Sequence, residues 1–257
     1  MGEEVRVEVA DGVLTLTLNR PAKKNAITQA MYADMAAALE TARGETAVRC
    51  VLIRAEGDSF CAGNDMMDFA MQAASGASAA DMAVFRFLKA LAEFDKPLVA
   101  AVQGRAVGIG VTLLLHCDLA VAAEDALLST PFVNLALAPE AASSRLLPEA
   151  IGHRRAFEML ALGRVVTGRE AADWGLVNKA VPLDQLQSEA EAFARACADR
   201  APGSIQATKR LMRDAETLWA LMQAEGQVFA AQMAGPEARE AFQAFIEKRP
   251  ARFTVAD

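Results

Sequence analysis

The sequence contains few of the residues on which hydrolytic and metal-dependent chemistry relies. Only two histidines occur among its 257 residues, and there is no G-x-S-x-G or HExxH motif and no plausible Ser-His-Asp set. The cysteines form no CxxC pair and complete no metal-ligand spacing with either histidine; they are Cys50, Cys61, Cys117 and Cys197. We therefore expect no metal site, and four reduced thiols in a reducing compartment.

The sequence also lacks an excess of basic residues and a long apolar run. Its formal net charge of −7 argues against nucleic acid as a partner, because phosphate backbones attract basic surfaces. The first residues resemble no signal peptide, and the longest apolar run, residues 106–117, contains two glycines and is too short to cross a bilayer. These absences predict a cytoplasmic protein with neither nucleic acid nor a membrane as partner.

What is present is a long alternation of strand-like and helix-like segments. The composition, 53% hydrophobic and 23% charged, is that of an ordinary globular chain with enough residues for a sizeable core. Alternating or buried apolar runs predict strands over residues 5–9, 13–18, 50–54, 97–102 and 119–122, with a hairpin at Asp11-Gly12. Helical periodicity predicts helices over residues 27–42, 80–93 and 108–117. This order predicts parallel β-structure with helical crossovers.

The second half of the chain is almost wholly helical. Helices are predicted over residues 151–162, 168–174, 186–199 and 205–245, with one strand over residues 176–181 and a break at Gly235-Pro236. From about residue 201 onward no strand is predicted, and the apolar faces there need a partner; they include Leu211, Leu218, Leu221, Phe229, Phe242, Phe245 and Ile246. We therefore expect an oligomer in which this helical region packs on a neighbouring subunit.

Two glycine-containing turns are candidates for backbone contacts with a ligand. They cover residues 60–65 and 104–110, and the second follows a predicted strand and precedes a helix. Neither is a nucleotide-binding loop, because no Lys-Ser or Lys-Thr follows the second turn and Leu113 stands where a dinucleotide fingerprint has its third glycine. Each turn is alternatively a tight connection. Together, two such turns can aim two N–H groups at one oxygen, as an oxyanion hole requires.

A single carboxylate, Glu140, lies in an otherwise apolar or small segment, residues 129–144. Burying a charged group is costly, so a lone acid in such a segment suggests a purpose. One interpretation is a base for proton transfer. The alternative is an acidic residue in the first turn of a helix, where it favours the helix dipole, with Ser143 and Ser144 as polar capping groups.

Several long motifs occur in order along the chain: LNRPAKKNAIT, SFCAGND, PLVAAVQGRAVGIGVTLLLHCDLAVA, TPFVNLALAPEAASSRLLP, VTGREAADWGLVNKAV and AFIEKRPARF. Together they resemble the crotonase superfamily, the enoyl-CoA hydratases and isomerases, over nearly the whole chain. The resemblance implies an α/β fold with a crotonase-like spiral core of ββα units over residues 1–200, which would bind acyl-CoA and hold the active site. It implies a C-terminal α-helical trimerisation region over residues 201–257, and a homo-oligomer that is a trimer or a dimer of trimers.

The resemblance also implies roles for particular residues. The backbone N–H groups of Asn64 and Ile109 would form an oxyanion hole for the thioester oxygen of an acyl-CoA, and such a donor is worth about 3 kcal/mol. Further substrate or CoA contacts would come from Ala62, Gly63, Asp65, Met66, Gly108, Gly110 and Phe132. Lys24 and Lys248 are candidates for the CoA phosphates, with solvated surface lysines as the alternative. No cofactor is expected beyond the CoA of the substrate itself.

The sequence departs from the hydratases of the family at two positions. They use two glutamates, and the corresponding positions here are Thr112 and Phe132. Neither residue can act as a carboxylate base, so we expect water addition by the two-glutamate mechanism to be absent or very slow.

Glu140 instead matches the Pro-Glu step of the peroxisomal-type Δ3,Δ2-enoyl-CoA isomerases. The match includes Pro131-Phe132, Leu135 and Ser143-Ser144, and it departs at Ala136, where a glycine is usual. In those enzymes one glutamate moves a proton between C2 and C4. The resemblance thus predicts an isomerase that converts 3-enoyl-CoA to trans-2-enoyl-CoA, with Glu140 as its base and an apolar setting that raises the pKa of Glu140.

Other interpretations remain open. One is a different crotonase-type reaction on acyl-CoA, such as hydration, hydrolysis or decarboxylation, and another is an acyl-CoA-binding or assembly protein that has lost catalysis. RNA binding is disfavoured by the negative net charge of the chain. An acyl pocket is predicted from apolar residues that could equally be ordinary core; they are Met66, Met67, Phe69, Met71, Phe85 and Leu88.

Overall fold

The computed structural model describes residues 2–68, 82–247 and 249–253. Within these residues the chain forms a six-stranded sheet, a three-stranded sheet and a set of helices around them. The strands are β1 (Val5–Ala10), β2 (Val13–Leu18), β3 (Cys50–Ala55), β4 (Leu98–Val102), β5 (Arg105–Val107), β6 (Leu119–Ala123), β7 (Leu127–Ser129), β8 (Val166–Thr167) and β9 (Lys179–Val181).

The helices occupy most of the second half of the chain. They are α1 (Gln29–Gly44), α2 (Ala83–Glu93), α3 (Ile109–Thr112), α4 (Ser143–Ile151), α5 (His153–Leu162), α6 (Gly168–Trp174), α7 (Leu183–Ala198), α8 (Pro202–Met212), α9 (Ala215–Met233) and α10 (Pro236–Ile246). The short helix α3 continues as a 3-10 helix over Leu113–His116. The helix predicted over residues 108–117 is therefore present, with its last turn tightened.

The larger sheet has the strand order β1-β2-β3-β4-β6-β9. Strands β1 and β2 are antiparallel and joined at Asp11 and Gly12, whose φ angles of 51° and 77° suit a tight hairpin turn. All the other neighbouring pairs in this sheet are parallel. Every residue of β4 is buried, as expected for a parallel strand that is covered on both faces.

The chain passes repeatedly from the larger sheet to the smaller one and then into a helix. Strand β4 leads to β5 and α3, and β6 leads to β7 and, further on, α4. The smaller sheet has the order β5-β7-β8. This succession is the spiral of ββα units that the sequence predicts, and the expectation is confirmed.

Several strands and helices differ from the sequence-based expectation. The strands β5, β7 and β8 were not expected, because two or three residues are too few to show an alternating pattern. The helix expected over residues 151–162 is α5, which begins after Gly152 with φ 82°, and the preceding helix α4 was not expected. The helical stretch expected over residues 205–245 has a second break, between Met212 and Ala215, besides the expected one at Gly235-Pro236. The strand expected over residues 176–181 covers Lys179–Val181 alone.

The C-terminal helices pack on the core of their own chain. Leu218 and Met222 of α9 are buried in the hydrophobic core, and Leu221 packs against it. Other apolar side chains of this region stay exposed, with 89% exposure for Leu211 and 73% for Ile246. The division at residue 200 and the oligomer therefore stay predictions. No helix within the described residues is long and apolar enough to cross a membrane.

Gly104, between β4 and β5, offers a test of the step from one sheet to the other. Its φ is 55°, and a Cβ atom there would lie 1.8 Å from the carbonyl oxygen of Asp58. We expect Gly104→Ala to lower the free energy of unfolding by about 3 kcal/mol or more. In α8, nothing lies within 4 Å of a Cβ atom at Gly203, so Gly203→Ala should stabilise by up to about 1 kcal/mol. Urea denaturation measures both, and equal stability of the two variants would contradict this prediction.

Candidate active site

Two turns of the chain are held together by a short parallel pairing between Cys61 and Ala106. Cys61 N–H donates to the carbonyl of Arg105 at 2.9 Å, and Val107 N–H donates to the carbonyl of Cys61 at 2.8 Å. A Cβ atom at Gly110 would lie 2.8 Å from the Cys61 oxygen, so only glycine allows α3 to start this close to the first turn. The residues after Cys61 are thereby placed beside the N-terminus of α3.

Two backbone N–H groups at this junction are available to a ligand. Ile27 N–H donates to Gly63 at 2.8 Å and Asp65 N–H donates to Ile27 at 2.9 Å, so the N–H of Asn64 points away from Ile27. Ile109 is the first residue of α3, where N–H groups have no partner within the helix. Among the described residues, neither N–H donates a hydrogen bond, and both residues line one cavity of about 420 Å³.

The side chain of Asn64 is fixed from the buried side. The Tyr32 hydroxyl, on α1, donates to Asn64 Oδ1 at 2.6 Å, and the Tyr32 ring packs on Phe87 with ring centroids 5.5 Å apart. Burial, and then the charges of Glu140 and Cys61, raise the pKa of Tyr32, so its hydroxyl keeps its proton and remains a donor. This contact holds the Asn64 backbone in place without using its N–H.

The thiol of Cys61 is not a nucleophile in this setting. It is buried, and Gly63 N–H donates to its sulfur at 3.4 Å. Desolvation raises the pKa of Cys61 to about 12, and the bond from Gly63 offsets only part of that rise. Since the thiolate is the reactive form, this cysteine stays inert and serves the site through its backbone.

A second, narrower cavity of about 90 Å³ adjoins the first. Asn64 and Phe229 line both cavities, so the two meet at these side chains. The narrow cavity lies between α2 and α9, with Phe85 and Leu88 on one wall and Met222 on the other. Among the described residues that line the two cavities, Glu140 is the only carboxylic acid.

The carboxyl group of Glu140 has one oxygen bonded and one open. Thr112 Oγ1, on α3, donates to Oε1 at 2.6 Å, and Thr112 itself is fully buried. In the part of the chain that the structure describes, Oε2 has no hydrogen-bond partner. The pKa of Glu140 is raised to about 7, chiefly by desolvation; the bond from Thr112 opposes the rise, and the charge of Glu225 adds to it. A carboxyl with this pKa exchanges a proton readily near neutral pH.

The backbone around Glu140 is unusual. Ala136, Ala141 and Ala142 have φ angles of 54°, 59° and 58°, in the left-handed region that alanine rarely adopts. The value at Ala136 explains why glycine is usual there in the isomerases that this segment resembles. Such backbone persists only where surrounding contacts enforce it, and it occurs most often at functional sites.

Glu140 lies outside the first turn of the next helix. Helix α4 begins at Ser143, and its first N–H groups, from Ala142 and Ser144, donate to the buried carboxylate of Glu225. The hydroxyl of Ser144 also donates to Glu225. Glu140 therefore does not cap this helix, and the serines do not cap it either.

Most of the predicted site residues come together at the larger cavity. Asn64, Ile109, Ala62, Gly63, Met66, Gly108 and Phe132 line it. Gly110 packs on Cys61 instead, and Asp65 forms an ion pair with Arg20 at 2.8 Å. Lys24 is exposed, and its backbone carbonyl accepts from Ala62 N–H at 2.9 Å. Lys248 lies outside the described residues, and the CoA contacts stay predictions.

The predicted acyl pocket is found in part. Phe85 and Leu88 line the narrow cavity and Met66 lines the larger one. Met67 is 72% exposed, so the prediction that it lines an apolar pocket is wrong. Phe69 and Met71 lie outside the described residues.

Sequence reasoning missed several residues that shape the site. In the sequence, Thr112 indicates only a missing carboxylate and gives no sign of its hydrogen bond to Glu140. Tyr32 and Glu225 lie far from Glu140 in sequence on otherwise ordinary helices. Arg249 lines the larger cavity, where Glu240 accepts from it at 2.6 Å and Glu247 at 2.5 Å. No group of three His, Cys, Asp or Glu side chains suited to a metal ion exists among the described residues.

The family model for enoyl-CoA hydratase/isomerase matches residues 8–255 of this sequence. The chain belongs to this family. Among its relatives, enoyl-CoA delta isomerase 2 of Rattus norvegicus is 36% identical over 244 residues, which are 93% of this chain and 62% of the rat protein. The 1,2-epoxyphenylacetyl-CoA isomerase of Escherichia coli K12 is 33% identical over 99% of both chains.

Solved structures agree with the family assignment. The crystal structure of an enoyl-CoA hydratase/isomerase from Pseudoalteromonas atlantica T6c superposes with a TM-score of 0.92 at 41% sequence identity. The match covers 98% of this chain and all of the other. The names of these relatives include both isomerases and a hydratase/isomerase, so the family alone does not choose between the two reactions.

The hydrogen bond from Thr112 predicts how Glu140 titrates. Thr112→Val keeps the side-chain shape and removes the donor, so the pKa of Glu140 should rise above that of the wild type, because the bond favours the charged form. Thr112→Ser keeps a hydroxyl and should leave the titration nearly unchanged. The side-chain carboxyl carbon of Glu140, followed by NMR across pH, measures this. An unchanged or lowered pKa in Thr112→Val would contradict the assignment.

Proposed function

We propose that this protein is an acyl-CoA isomerase that moves the double bond of a 3-enoyl-CoA to the trans-2 position, with Glu140 as its single base. The observation that carries the proposal is the position of the Glu140 carboxyl, which lines the narrow cavity beside Asn64 with one oxygen open. Its pKa near 7 suits a group that must both remove and return a proton.

In the proposed complex, each of the two cavities binds a different part of the substrate. With the thioester oxygen at the N–H groups of Asn64 and Ile109, the acyl chain extends past Asn64 into the narrow cavity, where Glu140 lies. The CoA portion then occupies the larger cavity. The apolar walls of the narrow cavity, formed by side chains such as Phe85, Leu88 and Met222, favour a hydrocarbon acyl group.

The reaction needs only one proton shuttle. Oε2 of Glu140 takes a proton from C2, and the electron pair of that C–H bond enters conjugation with the C3–C4 double bond and the thioester. The negative charge that develops on the thioester oxygen accepts hydrogen bonds from the two N–H groups. Glu140 then returns the same proton to C4, and the double bond lies between C2 and C3. The reaction therefore consumes no water and requires no cofactor beyond the CoA of the substrate.

Hydration is the second candidate reaction, and few features of the site favour it. Water addition by the family's two-glutamate mechanism needs a second carboxylate, and the positions concerned hold Thr112 and Phe132. Thr112 is committed to Glu140 as a donor, and Phe132 presents an aromatic ring to the larger cavity. Hydrolysis, decarboxylation and acyl-CoA binding without catalysis stay alternatives. A cytoplasmic location and a trimer or dimer of trimers stay predictions.

The first test replaces the base. With trans-3-hexenoyl-CoA as substrate, we expect the wild type to form the conjugated 2-enoyl thioester and Glu140→Gln to lose about 10²- to 10⁴-fold in kcat, the usual contribution of a general base. Glu149→Gln is the matched control, because Glu149 is an exposed acid on α4 that pairs with Arg145. The absorbance of the conjugated thioester measures the rate.

The same preparations given trans-2-hexenoyl-CoA test hydration. We expect the wild type to add water much more slowly than it isomerises. An inert wild type, or a Glu140→Gln variant as active as Glu149→Gln, would refute the proposal, and hydration as the faster reaction would favour the second candidate.

The pH dependence has a definite sign. Glu140 acts as a base only when it is ionised, so kcat/KM should rise with pH and reach half of its plateau near pH 7, where burial has placed the pKa of Glu140. An ordinary exposed glutamate would place that half-point near pH 4.5, the usual value for this side chain. A profile that is flat between pH 5 and 8 would exclude Glu140 as the titrating base.

A further inference from the structure

Glu225, on α9, is a buried carboxylate that lines neither cavity. It is 7% exposed, and burial raises its pKa. It accepts hydrogen bonds from Ala142 N–H at 2.6 Å and from Ser144 N–H at 3.0 Å, and a further one from the Ser144 hydroxyl. A buried acid with three donors aimed at it is tied firmly in place, and what it holds is the chain immediately after Glu140.

The turn between Glu140 and α4 is held from two sides. His116 donates from Nε2 to the Ala141 carbonyl at 2.8 Å, while Glu225 accepts from Ala142 N–H. Both alanines have left-handed backbone, which their side chains oppose. Releasing either contact would therefore let the turn relax and move the carboxyl of Glu140.

His116 is a neutral donor in this arrangement. The pKa of His116 is lowered to about 3, chiefly by burial and next by the nearby charge of Arg213. Arg213 donates to Nδ1, so the single ring proton lies on Nε2 and faces Ala141. The histidine thus fixes the turn without adding a charge beside Glu140.

Glu225 carries the negative charge that acts on Glu140 from the helical region. Its charge raises the pKa of Glu140, whereas the bond from Thr112 lowers it. Two other titratable groups interact with Glu140, Tyr32 and Cys61, and burial raises the pKa of each so that both stay neutral. Removing the charge of Glu225 should therefore move the titration of Glu140 to lower pH.

We propose that Glu225 is a positioning residue, which holds the left-handed turn Ala141–Ala142 from the C-terminal helix α9 and so aims Glu140 into the narrow cavity. The inference rests on the proposed function, because Glu140 is the base there. It makes the helical region a working part of the site: α9 supplies both Glu225 and the cavity wall at Met222, Gly226 and Phe229.

The test compares two substitutions on the same helix. Glu225→Gln removes the charge and places an N–H donor where an acceptor is needed, and we expect kcat to fall by about 10- to 100-fold, since small misplacement of a catalytic group has effects of this size. KM should change little, because Glu225 touches neither cavity. The rising limb of the pH profile should move to lower pH. Glu216→Gln removes the charge of an exposed acid on α9 and should change none of these quantities.

A second substitution separates positioning from general damage to the fold. Ala142→Gly, placed in the Glu225→Gln background, removes the steric penalty of the left-handed turn and should recover part of the lost kcat. Because the glycine can also stabilise the fold, urea denaturation of each variant is measured alongside: a fall and recovery of kcat at an equal folded fraction reports positioning, whereas changes that follow the folded fraction report stability. A fall in kcat with no rescue and an unmoved pH limb would overturn the inference, as would a Glu225→Gln variant with wild-type kcat.

Titration of the Glu140 carboxyl carbon by NMR distinguishes failure of this inference from failure of the proposed function. If the wild type does not isomerise, yet the Glu140 titration moves to lower pH in Glu225→Gln and not in Glu216→Gln, the positioning inference stands and the reaction assignment falls. If the wild type isomerises and the titration is the same in both variants, Glu225 does not act on Glu140 and the inference is wrong.

Discussion

The pairing of Cys61 with Ala106 is the contact on which the rest of the site depends. It brings a turn that follows the larger sheet against the first turn of α3, and the absence of a side chain at Gly110 allows the approach. The pairing uses the backbone of Cys61 and leaves free the N–H of Asn64 and of Ile109. Two donors from distant parts of the sequence are thus preorganised by main-chain geometry alone, and they need no rearrangement when a negative charge develops between them.

The pKa of Glu140 depends on which carboxylate accepts hydrogen bonds from the neighbouring donors. The start of a helix offers N–H groups that would stabilise a carboxylate and lower its pKa. At α4 those groups donate to Glu225, while Glu140 receives a single hydroxyl from Thr112. Because Glu140 lacks the backbone donors, desolvation dominates, and the pKa of Glu140 lies near 7. Two carboxylates near one turn therefore differ in role because they differ in partners.

Much of this could be anticipated from the sequence. Apolar periodicity and the Asp11-Gly12 turn indicated the parallel sheet and the hairpin, and the motifs indicated the family and the lone acid at Glu140. Strands such as β5 were too short to leave a pattern. Contacts between residues distant in sequence left no signal either: nothing in the sequence of α9 distinguishes Glu225, and only the fold brings its carboxylate to Ala142 N–H. The sequence shows that Thr112 cannot act as a base, and only the structure shows that its hydroxyl donates to Oε1 of Glu140.

The inert thiol of Cys61 has a consequence for chemical probes of this site. A substrate analogue that carries an electrophile on its acyl chain would meet the carboxyl of Glu140 in the narrow cavity, whereas the thiol of Cys61 is fully buried and lines neither cavity. In most enzymes the sulfur would react first, but burial keeps the Cys61 sulfur protonated far above neutral pH. Near pH 7, about half of the Glu140 carboxyl groups are ionised. Covalent labelling should therefore select an oxygen over a sulfur, and the label would be an ester that alkali removes.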